Sequence, residues 1–325
     1  MRKRSERCTC PKNLTMLELG NLTHNTTTSG GNWTESEHKE ALPIKINMFL
    51  LILAMLICLW GMVGNAAVIC TLSFKMKRNS CTVYILNLAV ADFIFVVGSF
   101  VNLVHFICTV LGVEVAEVDS DNLILVTRLM YDFGFHASCL LLMAISVERC
   151  VCVLFVMQYQ RYRPKHLSGV MCSFFWLLSC LVTGLEHFAC SSKKACNSVF
   201  IFTANVYLVL TLLLVTSSLI LLIEIGKNSK QCRPLRLYVV IIGTCLIFLL
   251  SVLPARLLRY LFFFEVTGSP VFVVYFFHIT VICNSIHCST NPLIYILAGR
   301  WRKRRHTCSI RHALEKVFNE GTELK

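Results

Sequence analysis

A glutamate followed by an arginine, Glu148-Arg149, stands inside MAISVERCVCVLF, where the flanking residues are otherwise apolar or small. A charge at the centre of a membrane helix costs roughly 3 kcal/mol on insertion scales, so such a pair belongs either to a satisfied soluble core or to a membrane helix that uses it. Other ionisable and amide side chains interrupt apolar runs in the same way. They are Asn65 in GMVGNAAV, Asp92 in LNLAVADF, and His287, Asn291 and Tyr295 in NSIHCSTNPLIY. Arg128, Asp132, Glu186, Arg256 and Arg259 complete the set. None of these forms a Ser/His/Asp or Cys/His constellation, a phosphate loop or a standard metal-ligand spacing, so no enzyme chemistry and no cofactor are expected. Their chemistry is charge pairing and hydrogen bonding between helices.

The elements that must hold them follow from composition. The chain is 56% hydrophobic and only 15% charged, against about 25% charged in an average soluble domain. Apolar segments long enough to cross a ~30 Å hydrocarbon core recur along it. Seven are expected, at 47–73, 81–111, 122–155, 167–189, 198–225, 237–264 and 270–298. The fold class is therefore an all-α membrane protein, a seven-helix bundle over 47–298, with an extracellular segment 1–46 and a cytoplasmic segment 299–325. A soluble core is excluded.

Loop charge orients the bundle. Lys75, Lys77 and Arg78, then Arg161, Arg163 and Lys165, then Lys227, Lys230, Arg233 and Arg236 mark one side, and the basic tail from Arg300 joins them. The opposite side carries Glu114, Glu117, Asp119 and Asp121. The tail is expected in the cytoplasm and the N-terminus outside. The net charge of +13 reads as an orientation and lipid-headgroup signal, not as a nucleic-acid patch. Residues 1–45 are polar and expected to be disordered. They carry acceptor triplets for glycosylation at Asn13, Asn21, Asn25 and Asn32. No apolar leader precedes the first span, which is expected to act as signal anchor. Of 18 cysteines most fall in spans as small apolar side chains. Cys190 and Cys196 lie outside, at the mouths of the fourth and fifth spans, where a disulfide would pin two helix ends. Cys8 and Cys10 are also outside, to pair with another chain, stay free, or bind metal with His24 and His38, although that spacing fits no standard zinc site.

The interrupting polar residues come about one per span. With SVERCVCVLF, YRPKH, FFWLLSCLVTGLE and NSIHCSTNPLIY, the chain resembles the rhodopsin-like G-protein-coupled receptors over about 45–318, and among them the Mas-related family. ERC in place of Asp-Arg-Tyr, no cysteine near the outer end of the third span, the Cys190/Cys196 pair, and Val252 where most such receptors carry Trp all point to that branch. A transporter, the alternative for a midplane Asp and His, predicts paired broken helices and internal repeats, which the sequence lacks. A non-signalling or decoy receptor stays open, because Val252 and a fifth span without proline depart from the general pattern.

The resemblance implies roles. Glu148 would hold Arg149 while the bundle is shut, and outward movement of the sixth helix, kinked at Pro254, would free Arg149 for a heterotrimeric G protein. Asn291, Pro292 and Tyr295 would rearrange with it. Asn65, Asp92, Ser138 and His287 would form a polar network around sodium or around water alone. The ligand-binding set would be Arg128, Tyr131, Asp132, Glu186, Arg256 and Arg259, with His105 and His278 nearby. Glu186 would contact a cationic peptide or amine, or pair with Arg256 or Arg259. Its usual acidic counterpart, four residues after Cys196, is here Phe200. The tail, with Trp301, Ile310, Leu314, Val317 and Phe318 among basic residues, reads as a helix on the inner leaflet, with Cys308 a palmitoylation candidate. The expected home is the plasma membrane, and the expected partners are lipids, an extracellular peptide or small molecule, and a G protein.

Overall fold

The computed structural model describes residues 36–76, 79–111, 117–155, 159, 161, 164, 166–189, 193–227, 235–263, 270–300 and 314. Seven long helices account for nearly all of them: α1 (Ser36–Phe74), α2 (Ser80–Val110), α3 (Glu117–Leu154), α4 (Leu167–Phe188), α5 (Lys193–Lys227), α6 (Leu235–Phe263) and α7 (Pro270–Arg300). Among the described residues, α1 to α5 each contain a run long and apolar enough to cross a membrane. In α6 the apolar run is Val240–Pro254. The described part of α7 carries Asn284, Ser285, His287, Ser289 and Asn291 on buried positions.

Three helix starts differ from the sequence reading. α1 begins at Ser36, not 47, so residues 36–46, expected to be disordered, are helical. Ser36-Glu37-His38-Lys39-Glu40-Ala41-Leu42 contains good helix formers, and extending an existing helix avoids the cost of nucleation. α3 begins at Glu117 rather than 122. Glu117, Asp119 and Asp121 favour the positive N-terminal end of the helix dipole. α5 begins at Lys193 rather than 198, which shortens the α4–α5 connection and puts Cys196 on a helical turn. At the start of α2, Asn79 accepts a hydrogen bond from the Thr82 N–H at 2.8 Å, and the Asn79 N–H donates to Thr82 Oγ1 at 2.8 Å. This reciprocal capping box satisfies two backbone donors where the span begins.

α3 is the central helix. It packs against α2, α4, α5, α6 and α7, while α1 closes the ring against α2 and α7. Every residue from 134 to 142 is buried, as expected of a helix surrounded by other helices. Large apolar side chains on α1, α4 and α5, such as Val63, Leu177 and Leu208, point outward instead. The α2–α3 contact is especially close. A Cβ on Gly134 would lie 2.5 Å from the Phe95 backbone nitrogen, and one on Gly98 would lie 2.8 Å from the Tyr131 backbone nitrogen. Small residues at these two levels let the backbones approach. Hydroxyls within the spans bond back to the carbonyl one turn earlier, as in Thr71 to Ala67 at 2.7 Å and Ser179 to Phe175 at 2.7 Å. This satisfies them without water.

Candidate functional site

Polar side chains converge at three levels of the bundle. At the end away from Arg149, α3 and α4 bring together two carboxylates and two imidazoles. His187 Nε2 lies 2.8 Å from Asp132 Oδ2. His136 Nε2 lies 3.3 Å from Glu186 Oε2. The other nitrogen of His136, Nδ1, is 3.1 Å from the Tyr207 hydroxyl of α5. Asp132 and His136 are one helical turn apart and so share a face of α3. Asp132, His136 and Glu186 each offer a ligand atom, and these atoms lie within 4.8 Å of one another. Beside them the Asn284 amide of α7 donates to the Tyr131 hydroxyl at 3.0 Å, and Tyr131 packs on Phe95 with ring centroids 4.7 Å apart. Arg128 is partly buried on α3, one turn before Asp132.

At mid-depth Asp92 is fully buried on α2. Its Oδ1 accepts from the Ser138 hydroxyl of α3 at 2.6 Å and its Oδ2 from the Asn291 amide of α7 at 2.6 Å. Ser138 Oγ is also 3.4 Å from His287 Nε2. The His287 ring meets Phe248 of α6 edge-on, centroids 5.3 Å apart. Asn65 ties α1 to α7 by donating to the Cys288 carbonyl at 3.1 Å as well as to Gly61 of its own helix at 3.0 Å. One carboxylate thereby holds three helices, with a fourth reached through the imidazole.

At the other end, the Tyr159 hydroxyl donates to Glu148 Oε1 at 2.5 Å. Arg149 stands close enough to feel the Glu148 charge. One turn inward, Ser146 Oγ lies 2.7 Å from Ser217 Oγ of α5 and 3.9 Å from Cys245 Sγ of α6.

Comparison with known proteins decides what this arrangement belongs to. Residues 64–295 match the model of the 7 transmembrane receptor (rhodopsin family). The chain is 35% identical to the human proto-oncogene Mas over 273 residues, 80% of each chain. It is 35% identical to Mas-related G-protein coupled receptor member D of Macaca fascicularis over 285 residues, 84% of this chain and 86% of the relative. With human Mas-related G-protein coupled receptor member X1 the identity is 32% over 295 residues, 88% of each. The chain belongs to the rhodopsin family of seven-transmembrane receptors, in its Mas-related branch. It is a G-protein-coupled receptor and a multi-pass membrane protein, not an enzyme.

Of the four residues read from the sequence as one network, Asp92, Ser138 and His287 are linked, and Asn291 joins them through Asp92, whereas Asn65 bonds Gly61 and the Cys288 carbonyl instead. Tyr295 is buried close by, and Pro292 packs on α1, where a Cβ on Gly64 would lie 3.1 Å from the proline ring. Pro254 sits within α6 with its ring exposed, and Val252 is buried. Each Asp92 oxygen accepts one protein donor and keeps a further lone pair, and His287 brings a nitrogen rather than an oxygen to this level. Among the described residues, Asn65 Oδ1 and His287 Nδ1 are buried at this level without a hydrogen-bond partner. Glu186, for which an arginine partner was one alternative, meets His136. The side chains of Arg256, Arg259 and Cys196 lie outside the described residues, as do Cys190, Cys308 and the triplets at Asn13, Asn21, Asn25 and Asn32. Leu314, the described residue of the tail, is helical and buried.

Sequence reasoning missed His136, His187, Tyr207, Asn284 and Tyr159. For His136 a signal existed, its one-turn spacing from Asp132. His187 was adjacent to Glu186. Tyr159 lies in a connecting segment, and nothing in its local pattern points at Glu148.

Proposed function

We propose that this receptor binds an extracellular ligand at the end of the bundle that holds Asp132, His136, Glu186 and His187, and signals through Arg149 to a heterotrimeric G protein. The observation that carries the reading is the pair of carboxylates on α3 and α4, partly buried and facing each other across imidazoles. Such a site suits a ligand with at least one cationic group, a peptide or a small amine, because an ammonium can replace the imidazole partners and an apolar bundle wall strengthens the contact. The orientation that places this end outside rests on the basic loops beside α1 and α3 and on the basic tail. The receptor then acts at the plasma membrane, with glycosylated N-terminus and Cys190–Cys196 bridge outside.

Transmission needs α6 to move. Ser146, one turn before Arg149, meets α6 through the Cys245 thiol at 3.9 Å, while it meets α5 at 2.7 Å. A thiol is a weak hydrogen-bond partner, so separating α6 from α3 at this contact costs little. Opening there uncovers the Arg149 side of α3. Pro254 removes a helical hydrogen bond higher in α6 and makes that helix deformable.

The test is ligand-stimulated calcium and cyclic-AMP signalling in transfected cells, with a panel of cationic peptides, amines and organic acids. Arg149→Ala and Glu186→Gln run beside wild type at matched surface expression. Loss of the response in Arg149→Ala and a selective loss of cationic ligands in Glu186→Gln are expected. Basal and stimulated signalling untouched by Arg149→Ala would favour a non-signalling decoy. Selectivity untouched by Glu186→Gln would remove the carboxylate from the ligand site.

A further inference from the structure

We propose that Asp132, His136 and Glu186 form a site for one divalent first-row transition-metal cation of the zinc class, with His187 next to it.

The ligand atoms come from two helices that already touch. α3 contributes Asp132 and His136 from consecutive turns of one face, and α4 contributes Glu186. Zinc takes imidazole nitrogen and carboxylate oxygen at roughly 2.0–2.2 Å in tetrahedral geometry, which sets ligand–ligand edges near 3.3 Å. His136 Nε2 and Glu186 Oε2 stand at 3.3 Å without any adjustment. The three atoms span at most 4.8 Å, so the widest edge closes by about 1.5 Å through rotation of an Asp or Glu side chain on two single bonds. The ligand set leaves a fourth position for water or for His187.

The surroundings match what metal-bound imidazoles need. A ligating histidine almost always uses its other ring nitrogen in a hydrogen bond that fixes the tautomer. His136 Nδ1 has the Tyr207 hydroxyl at 3.1 Å, and with the proton on Nδ1 the Nε2 lone pair points at Glu186. The ring itself is 2% exposed and wedged against Phe135 and Tyr207, with centroids 6.4 and 5.6 Å away. It is held rather than searching. His187 at 2.8 Å from Asp132 Oδ2 gives that carboxylate its own anchor. The mixed nitrogen and oxygen set separates the site from calcium and magnesium, which take oxygen ligands alone. Two carboxylates facing each other in an apolar bundle also supply the formal charge that a dication neutralises.

An occupied site would strap α3 to α4 and put a cation where an organic ammonium would otherwise sit. That consequence rests on the ligand reading given above, whereas binding of the ion does not.

The experiment uses the full-length receptor purified in detergent and titrated with Co²⁺, a zinc surrogate whose visible absorption reports coordination. Expected are the visible bands of a tetrahedral nitrogen/oxygen site, no near-ultraviolet thiolate band, displacement by Zn²⁺, and retention in a Cys8→Ser/Cys10→Ser variant. His136→Gln should weaken Co²⁺ binding more than about tenfold. Glu186→Gln, nearly isosteric and at a partly exposed position, carries the same expectation should His136→Gln fail to fold. Absence of the visible bands in the wild type overturns the proposal. So does a thiolate band that disappears with Cys8 and Cys10, or wild-type affinity in either variant. No G protein or organic ligand enters the assay, so a receptor that signals but binds no Co²⁺, and one that binds Co²⁺ but does not signal, are told apart.

Discussion

Replacing Gly134 by alanine adds one methyl group at a tight point of the bundle. That methyl would stand 2.5 Å from the Phe95 backbone nitrogen, 2.8 Å from the Ala91 carbonyl oxygen and 2.9 Å from the Phe95 Cα. All three are backbone atoms of α2, so no side chain can rotate away. Restoring ordinary contact at 3.4 Å needs about 0.9 Å of separation between α2 and α3. That shift would pull Ser138 from Asp92 and loosen the packing of Phe95 on Tyr131 and Phe135. Overpacking of this kind costs about 1–3 kcal/mol. Two other glycines serve as controls. A Cβ on Gly184 meets nothing within 4 Å, and one on Gly243 meets only the Ile294 side chain, at 3.4 Å and beyond. Alanine at those positions gains helix propensity, up to about 1 kcal/mol. The assay is the thermal midpoint of each detergent-solubilised variant, read by fluorescence-detected size exclusion, together with surface expression. Gly134→Ala should fall below wild type while Gly184→Ala and Gly243→Ala match or exceed it. Equal stability of Gly134→Ala and Gly184→Ala would refute the claim that the α2–α3 backbone contact sets the register of the bundle.

Asp92→Ala should lower the thermal midpoint and blunt signalling, because it strands the buried Ser138 and Asn291 donors, at about 1–3 kcal/mol each. Asp92→Asn should cost much less, since an amide oxygen still accepts and Asn291 can turn. Tyr159→Phe should raise basal cyclic-AMP or calcium signalling about fivefold, the factor for about 1 kcal/mol, by removing the hydrogen bond that holds Glu148. Unchanged or lower basal signalling would show that this bond does not keep the bundle shut. Trp176→Phe removes the bond from the indole N–H to Asn87 Oδ1, at 2.8 Å between α4 and α2, and should destabilise by about 1 kcal/mol in the same thermal assay. Ligand-induced arrestin recruitment should be weak, because the tail offers only Thr307, Ser309 and Thr322 as phosphate acceptors. A strong signal that depends on phosphorylation would contradict this.

Hydropathy and charge are enough to specify the membrane solution and its depth marks. Apolar runs long enough to cross a bilayer permit only helices or closed barrels, because no water is there to satisfy the backbone. Each buried polar residue in such a run is costly enough that Asp92, Asn291 and Glu148-Arg149 stand out from residue order alone. For the same reason the partners of Asp92 are legible, since a midplane carboxylate must meet the other midplane polar groups. Helix ends are less legible. The polar turns at Ser36, Glu117 and Lys193 continue helices whose nucleation is settled in the apolar part, which composition does not register. Which imidazole meets which carboxylate is a matter of three-dimensional packing. His136 and Glu186 are far apart along the chain, on helices that hydropathy shows to be present but not how they are rotated. The rotation of α3 follows from close packing against α2 at Gly98 and Gly134 and from the burial of residues 134–142. Steric contact between backbones is a property of the assembled bundle. It turns a scatter of ionisable residues into one site.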